Sequence, residues 1–302
     1  MDHPSHRLWF NAGMKFSFKT VALVGKYQSP EVAAPLLKLA RFLERRKVEV
    51  LMDRVAGSRA GRGRYPTLPL EELARKADLA IVVGGDGTML SIARAFAPHD
   101  VALVGVSQGR LGFLTDISVE NAIETIGAIL DGRFVAEKRM LLEGRVSSKA
   151  KQAARSLAFN DVVVSKGARA NLIELEVRID GEFMYHQRSD GLIIATPTGS
   201  TAYAMSAGGP IVHPALSVMA LVPVSPHTLS NRPIVVSSDS VVDVIVRHAA
   251  DPRVHFDSHT RFDLREGDRV TVRRFSHAIR LLHPARHSYY TMLREKLNWY
   301  RE

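Results

Sequence analysis

The chain has 302 residues, 46% of them hydrophobic, no cysteine, and 41 basic against 31 acidic side chains for a formal charge of +10. That is enough chain for one large or two ordinary domains with a real core, and it excludes disulfides, thiolate metal sites and cysteine nucleophiles. No run reaches the roughly 18 to 20 apolar residues of a membrane span, and MDHPSHRLWFNAGMKF lacks a secretory h-region, so a cytoplasmic location with no membrane contact is expected.

Residues 1 to 13 carry no periodic pattern and read as a disordered extension ahead of Met14. TVALVG (20 to 25) reads as a buried strand, and PEVAAPLLKLARFLERR has helical apolar spacing. VEVLMD, DLAIVV and VALVGV read as further strands, and LPLEELARKAD, MLSIARAFA and VENAIETIGAILDG as the helices between and after them. GSRAGRGRYP (57 to 66) reads as a mobile surface loop. Strands alternating with helices predict a parallel α/β sheet up to about residue 137. Beyond the polar segment GRVSSKAKQAARS the texture changes. LIELEVRID (172 to 180) alternates, with Ile173, Leu175, Val177 and Ile179 on one face and Glu174, Glu176, Arg178 and Asp180 on the other. Asp180-Gly181 is a hairpin signal, and VVDVIVRH, HFDSHT and DRVTVRRF read as further short strands. The second half is therefore mostly β. SYYTMLREKLNWY (288 to 300) returns to helical spacing and is expected to pack back on the first domain.

The stretch IVVGGDGTML (81 to 90) carries the chemistry. A strand ending in Gly84, Gly85 and Gly87 and opening a helix, with Thr88 as N-cap, is an anion site, because bare backbone and helix N–H groups come close to a phosphate. It is neither G-x-x-x-x-G-K-[ST] nor G-x-G-x-x-G. The acid inside it, Asp86, either merely caps the turn or has a chemical reason to sit beside phosphates. It could accept a proton from an attacking hydroxyl or hold Mg²⁺ that bridges phosphate oxygens, and both point to phosphoryl transfer.

QRSDGLIIATPTGSTAYAMSAGGPIVHP (187 to 214) crowds glycines and hydroxyls around Asp190 and Tyr203, a composition suited to a ligand cleft. In FNDVVVSKG (159 to 167), Asn160 and Asp161 set an amide beside a carboxylate, which suits a ribose diol or an amide. The twelve histidines show no metal-binding spacing and read as ordinary residues, with His259 the exception. Basic residues are scattered apart from 57 to 66 and the pair Arg273 and Arg274, so the charge suits phosphorylated small molecules and not nucleic acid.

Taken with GRLGFLTD (109 to 116) and PHTLSNRP (226 to 233), the blocks GGDGTML, FNDVVV and RSDGLIIATPTGSTAYAMSAGGPI resemble the bacterial NAD kinase family, in its order, from about residue 18 to 300. The resemblance implies a Rossmann-like α/β domain (14 to 137, plus 284 to 302), a β-sandwich NAD-binding domain (138 to 283), and a cleft between them. It implies transfer of the ATP γ-phosphate, with Mg²⁺ and no dedicated metal ligands, to the 2′-hydroxyl of the adenosine ribose of NAD. Carried over by position, Asp86 is the general base and Gly87 lines the same loop. Asn160, Asp161, Asn171, Arg188, Asp190, Thr201, Ala202, Tyr203, Ser206 and His259 then form the NAD site. The family's Asn-Glu is Asn160-Asp161 here, its Asn-Arg before the GFLTD block is Ser107-Gln108, and a glutamine of the late β segment is His259. Polyphosphate is a further implied donor, and a homodimer or homotetramer the implied assembly. A lipid kinase with the same GGDG loop and a non-catalytic NADP sensor are the competing readings.

Overall fold

Leu36, Leu39, Ala40 and Leu43 recur at i, i+3, i+4 and i+7, the spacing that lays one apolar stripe along a helix, and all four are buried on the helix Ala33–Arg45. That helix covers a sheet whose strands Leu79–Gly84 and Ala102–Ser107 are buried at every position. Continuous burial of this kind belongs to a parallel sheet with both faces covered. These elements come from a computed structural model that describes residues 18–25, 30–57, 63–148, 153–167, 171–228 and 230–299. The expected extension 1 to 13 and the middle of the loop 57 to 66 lie outside those residues.

The chain divides into two compact units, residues up to 138 together with 279 onward, and residues 139–278. In the first, the strands run in the order Thr67–Leu68, Glu49–Asp53, Thr20–Gly25, Leu79–Gly84, Ala102–Ser107, Ile279–Pro284, Phe134–Arg139. Neighbours from Thr67–Leu68 through Ile279–Pro284 pair in parallel. The return to this unit begins with the strand at 279 and not at 284: Arg280 and Leu281 pair with Ala102 and Leu103, and Leu282 joins the apolar core of the sheet. The final helix, Tyr289–Leu297, opens on Ser288, whose hydroxyl accepts the Thr291 N–H, and closes on Asn298 in the left-handed conformation, φ 53°.

The second unit holds two six-stranded sheets. One runs Ile234–Ser237, Val218–Val224, Gly191–Ala195, Asp161–Lys166, Pro252–Phe256, Thr260–Asp263; the other runs Glu182–Ser189, Ile173–Ile179, Val242–His248, Arg269–Arg274, Leu142–Ser147, Ala154–Ala158. Side chains from both meet in one core, including Val162, Val164, Leu192 and Phe256 from the first and Leu175, Val177, Val244 and Val270 from the second. That is a β-sandwich. The hairpin at Asp180-Gly181 has φ of 53° and 84°, the two positive angles of a type I′ turn.

Two local expectations change. HFDSHT is not one strand: Phe256 ends one strand, Asp257 and Ser258 turn with φ of 48° and 59°, and Thr260 starts the next. Glu176, expected on the solvent face, is covered by Arg178, Arg247 and His186, which bond to its carboxylate. Those hydrogen bonds, Arg178's foremost, lower its pKa to about 2.

Candidate active site

Chain order reverses between the strands Thr20–Gly25 and Leu79–Gly84, because Glu49–Asp53 lies to one side of the first and Leu79–Gly84 to the other. In an open parallel sheet, ligands bind outside the carboxyl ends of the strands at such a switch point. Gly84, Gly85, Asp86, Gly87 and Thr88 occupy that position. The helix that follows begins at Asp86, and its N-cap is Gly85. Thr88 is therefore inside the first turn, bonding through its own N–H to the Gly85 carbonyl at 3.0 Å, and is not the cap. A side chain added at Gly85 or Gly87 would meet no other atom within 4 Å, and neither glycine has a positive φ. Nothing in the chain's own packing requires glycine there, and the effect is a bare backbone at a helix N-terminus, where an anion is favoured.

Asp86 does not cap its helix. Its Oδ2 accepts the Phe113 N–H at 2.8 Å, and its Oδ1 accepts the Leu114 N–H at 3.0 Å and the Thr115 hydroxyl at 3.2 Å. All three donors come from the GRLGFLTD block, and this is the part that block plays. Gly112 makes the approach possible, since a Cβ there would lie 1.9 Å from Asp86 Oδ1. A carboxylate offers roughly four acceptor sites, so three bonds fix its direction and leave Oδ2 able to take one more proton donor. Arg110 and Lys296 sit within electrostatic reach: burial lowers the Lys296 ammonium below its usual range, the Asp86 charge opposes that, and Arg110 adds to it. Ser107 is spent on the loop itself, donating to the Arg110 carbonyl at 2.9 Å.

In the second unit Asn160 and Asp161 stand at the start of the strand Asp161–Lys166. The Asp257 carboxylate gathers the N–H groups of Phe159, Asn160 and Asp161 at 2.8, 2.7 and 3.1 Å. Two consecutive non-glycine residues in the left-handed region, Asp257 and Ser258, hold that carboxylate in place, at a cost of about 1 to 3 kcal/mol each. Burial first, and the Asp257 charge second, raise Asp161 to about 7, so near neutrality its carboxyl can donate as well as accept. His259, exposed on the same turn, places its Nδ1 2.6 Å from the Asp257 carbonyl. A carbonyl only accepts, so Nδ1 carries the proton in this contact.

The TPTGSTAY segment joins this cluster. Thr196 donates its hydroxyl to the Phe159 carbonyl at 2.7 Å and its N–H to the Asn160 carbonyl at 2.8 Å. A Cβ at Gly199 would lie 2.1 Å from that same carbonyl. Ser200, fully buried, bonds Pro197 and Val212 and fixes the turn. Thr201 and Ala202 follow half-buried, and the short helix Tyr203–Ser206 presents Tyr203 and Ser206 to solvent. Arg188 and Asp190 do not join them. Asp161 is opposite Ala195 and Ser165 is opposite Gly191, so Asp190 lies past the far end of this strand pair, roughly 16 Å away at about 3.3 Å per residue. There it pairs with Lys166 at 2.7 Å, while Arg188 pairs with Glu174 at 3.2 Å. Asn171 is exposed, two residues before the strand Ile173–Ile179.

Sequence reasoning missed Asp257, the backbone donors of Phe113 and Leu114, and a pair of histidines. His283 and His287, read as ordinary, meet at Asp116. Only the four-residue spacing of the two histidines could have hinted at it.

Two family models cover most of the chain: the ATP-NAD kinase N-terminal domain matches residues 21–134 and the ATP-NAD kinase C-terminal domain residues 159–283. The NAD kinase of Nitrosospira multiformis is 56% identical over 286 residues, 95% of this chain and 97% of that protein. A solved NAD kinase from Archaeoglobus fulgidus in complex with ATP is 28% identical, with a TM-score of 0.72 over 93% of this chain and all of that one. The yeast NADH kinase complexed with NADH, 24% identical, shares the fold with a TM-score of 0.88 over 95% of this chain and 89% of that one. A match through both units, and not only at the GGDG loop, removes the lipid-kinase reading, and the chain belongs to the ATP-NAD kinase family.

Proposed function

We propose that this kinase moves the γ-phosphoryl group of ATP to the 2′-hydroxyl of the adenosine ribose of NAD, with Asp86 as the general base. The observation that carries the reading is the fixed Asp86 carboxylate, held by three donors with one acceptor position left, between two bare glycines at the switch point. As the ribose oxygen bonds to the γ-phosphorus, the bond from that phosphorus to the bridging oxygen breaks, ADP departs, and the hydroxyl proton passes to Asp86. The bare N–H groups at Gly85 and Gly87, with Arg110 and Lys296, bind the phosphates. Asn160, Asp161 and the Thr201–Ser206 turn hold the adenosine half of NAD, the neutral Asp161 carboxyl donating to a ribose or adenine acceptor.

Mg²⁺ fits as an ion carried by the triphosphate, since the loop's single carboxylate already spends three acceptor sites on the chain. When bound it neutralises phosphate charge. Polyphosphate as an alternative donor, a homodimer or homotetramer, and a cytoplasmic location are proposed on the family resemblance. Incubation with NAD, ATP and Mg²⁺, with NADP followed by an NADP-specific dehydrogenase, tests the activity. NADP accumulation in proportion to enzyme is expected. Dinucleotide binding with no NADP from ATP or polyphosphate would overturn the proposal in favour of a sensor.

A further inference from the structure

One cluster of buried titratable groups in the first unit has no part in phosphoryl transfer. Asp116 Oδ2 lies 2.9 Å from the Nδ1 of His283 and 2.9 Å from the Nδ1 of His287. The two rings stack with centroids 4.0 Å apart and planes 19° from parallel. On their far side, Glu137 Oε2 faces His283 Nε2 and Glu137 Oε1 faces His287 Nε2, each at 3.7 Å. The His283 and His287 side chains are 1% and 4% exposed, and neither Nε2 has a partner at hydrogen-bond distance among the described residues.

Two ring nitrogens face one carboxylate oxygen, and neither symmetric protonation state satisfies every ring nitrogen. If both rings are neutral and donate from Nδ1 to the single oxygen of Asp116, both Nε2 atoms turn bare lone pairs toward the Glu137 carboxylate, an unpaired buried arrangement. If both rings are doubly protonated, two cations are stacked face to face with ring centroids 4.0 Å apart and little water to screen them. A divalent cation in place of the two Nδ1 protons resolves both difficulties. It leaves each Nε2–H to donate to Glu137, as the second nitrogen of a metal-bound histidine does to a carboxylate.

We propose that Asp116 Oδ2, His283 Nδ1 and His287 Nδ1 bind a divalent transition cation of the zinc class, with Glu137 orienting both rings. The three side chains offer ligand atoms within 4.8 Å of one another. Tetrahedral ligands at about 2.0 to 2.1 Å from an ion stand roughly 3.3 Å apart, so the two 2.9 Å separations open by a few tenths of an ångström, while the two Nδ1 atoms, within 4.8 Å of each other, close by at most about 1.5 Å. Three protein ligands leave the fourth position to water. The site ties the segment after the strand Ile279–Pro284 to Asp116, the neighbour of Thr115, whose hydroxyl bonds Asp86. Occupancy therefore stiffens the segment that aims the carboxylate.

The full chain, stripped by a chelator and dialysed, is titrated with Zn²⁺ by calorimetry and with Co²⁺ by visible absorption. One equivalent bound at micromolar concentration or tighter is expected, with the intense d–d bands of a tetrahedral Co²⁺ complex. His287→Gln and Asp116→Asn, checked for native circular dichroism, should weaken binding at least a hundredfold, and Glu137→Gln about 10- to 100-fold. Zn²⁺ should raise the melting temperature of the parent chain and not that of His287→Gln. Stoichiometric binding that persists in folded His287→Gln overturns the proposal. So does a Co²⁺ spectrum of the parent chain no different from that of the aqueous ion, which needs no variant.

Discussion

Phe113 donates its backbone N–H to Asp86 across 27 residues of sequence, at 2.8 Å, and with Leu114 and Thr115 it sets the direction of the one carboxylate in the phosphate loop. The arrangement separates two properties that a substitution would change together. Asp86→Asn removes the proposed base, and it also turns an amide with its own N–H groups toward two N–H donors. We expect kcat for NADP formation to fall by about 10² to 10⁴. Stability should fall by about 1 to 3 kcal/mol for the mispaired group. NAD affinity, measured by calorimetry without ATP, should change little.

Gly112→Ala tests the aim of the carboxylate without altering its chemistry. The added carbon would lie 1.9 Å from Asp86 Oδ1, and the side chain must swing away. A displacement of about 1 Å costs on the order of 10² in rate. The expected result is a kcat down about a hundredfold, with KM for NAD nearly unchanged and the bell of the pH profile retained. A variant with parent kcat would show that the three donors are not what positions the base.

Asp161 makes a pH prediction of unusual sign for a carboxylate. Its pKa rises from 3.8 to about 7 on folding, from burial and the charge of Asp257, so the folded state binds the proton more tightly than the unfolded one. Stability from this group is fully present below about 4, falls as pH rises toward 7, and is absent above it. Three pKa units correspond to as much as about 4 kcal/mol. Asp161→Asn should accordingly raise stability at pH 8 relative to the parent while leaving it similar at pH 4, by denaturant unfolding at both. If NAD binding depends on the donating carboxyl, the same variant should flatten the pH dependence of KM between 6 and 8.

Glu176 predicts the opposite slope. Its pKa falls from 4.5 to about 2 through hydrogen bonds from Arg178 and Arg247, so its contribution is present above about 4.5 and is lost as pH drops toward 2. Arg247→Met should reduce the melting temperature at pH 7 and narrow its gap to the parent at pH 2.5.

The alternation of the first unit and the alternating strand Ile173–Ile179 were legible because burial on both faces, or on one, leaves a direct imprint on residue type. Asp86 was legible because its neighbours are glycines. Its holders were not, since backbone N–H groups leave no mark on sequence and Phe113 and Leu114 look like core residues. Asp257 was hidden for a different reason: a non-glycine residue in the left-handed region looks like part of the strand it interrupts. Thr88 reads as a cap in sequence because the actual cap, Gly85, carries no side chain to mark it, and the helix starts two residues earlier, at Asp86. His283 and Asp116 are 167 residues apart, a pairing that only the sheet brings about.

The strand Ile279–Pro284 lies between Ala102–Ser107 and Phe134–Arg139, yet it is encoded after the whole of the second unit. The second unit is continuous in sequence and has all its strands before that point. The first cannot complete its sheet until the second unit has been made, and until then two strand edges stand open to water and to other nascent chains. Synthesis therefore imposes an order that the finished molecule does not display: the later-encoded unit closes first, and the phosphate-loop unit waits for it.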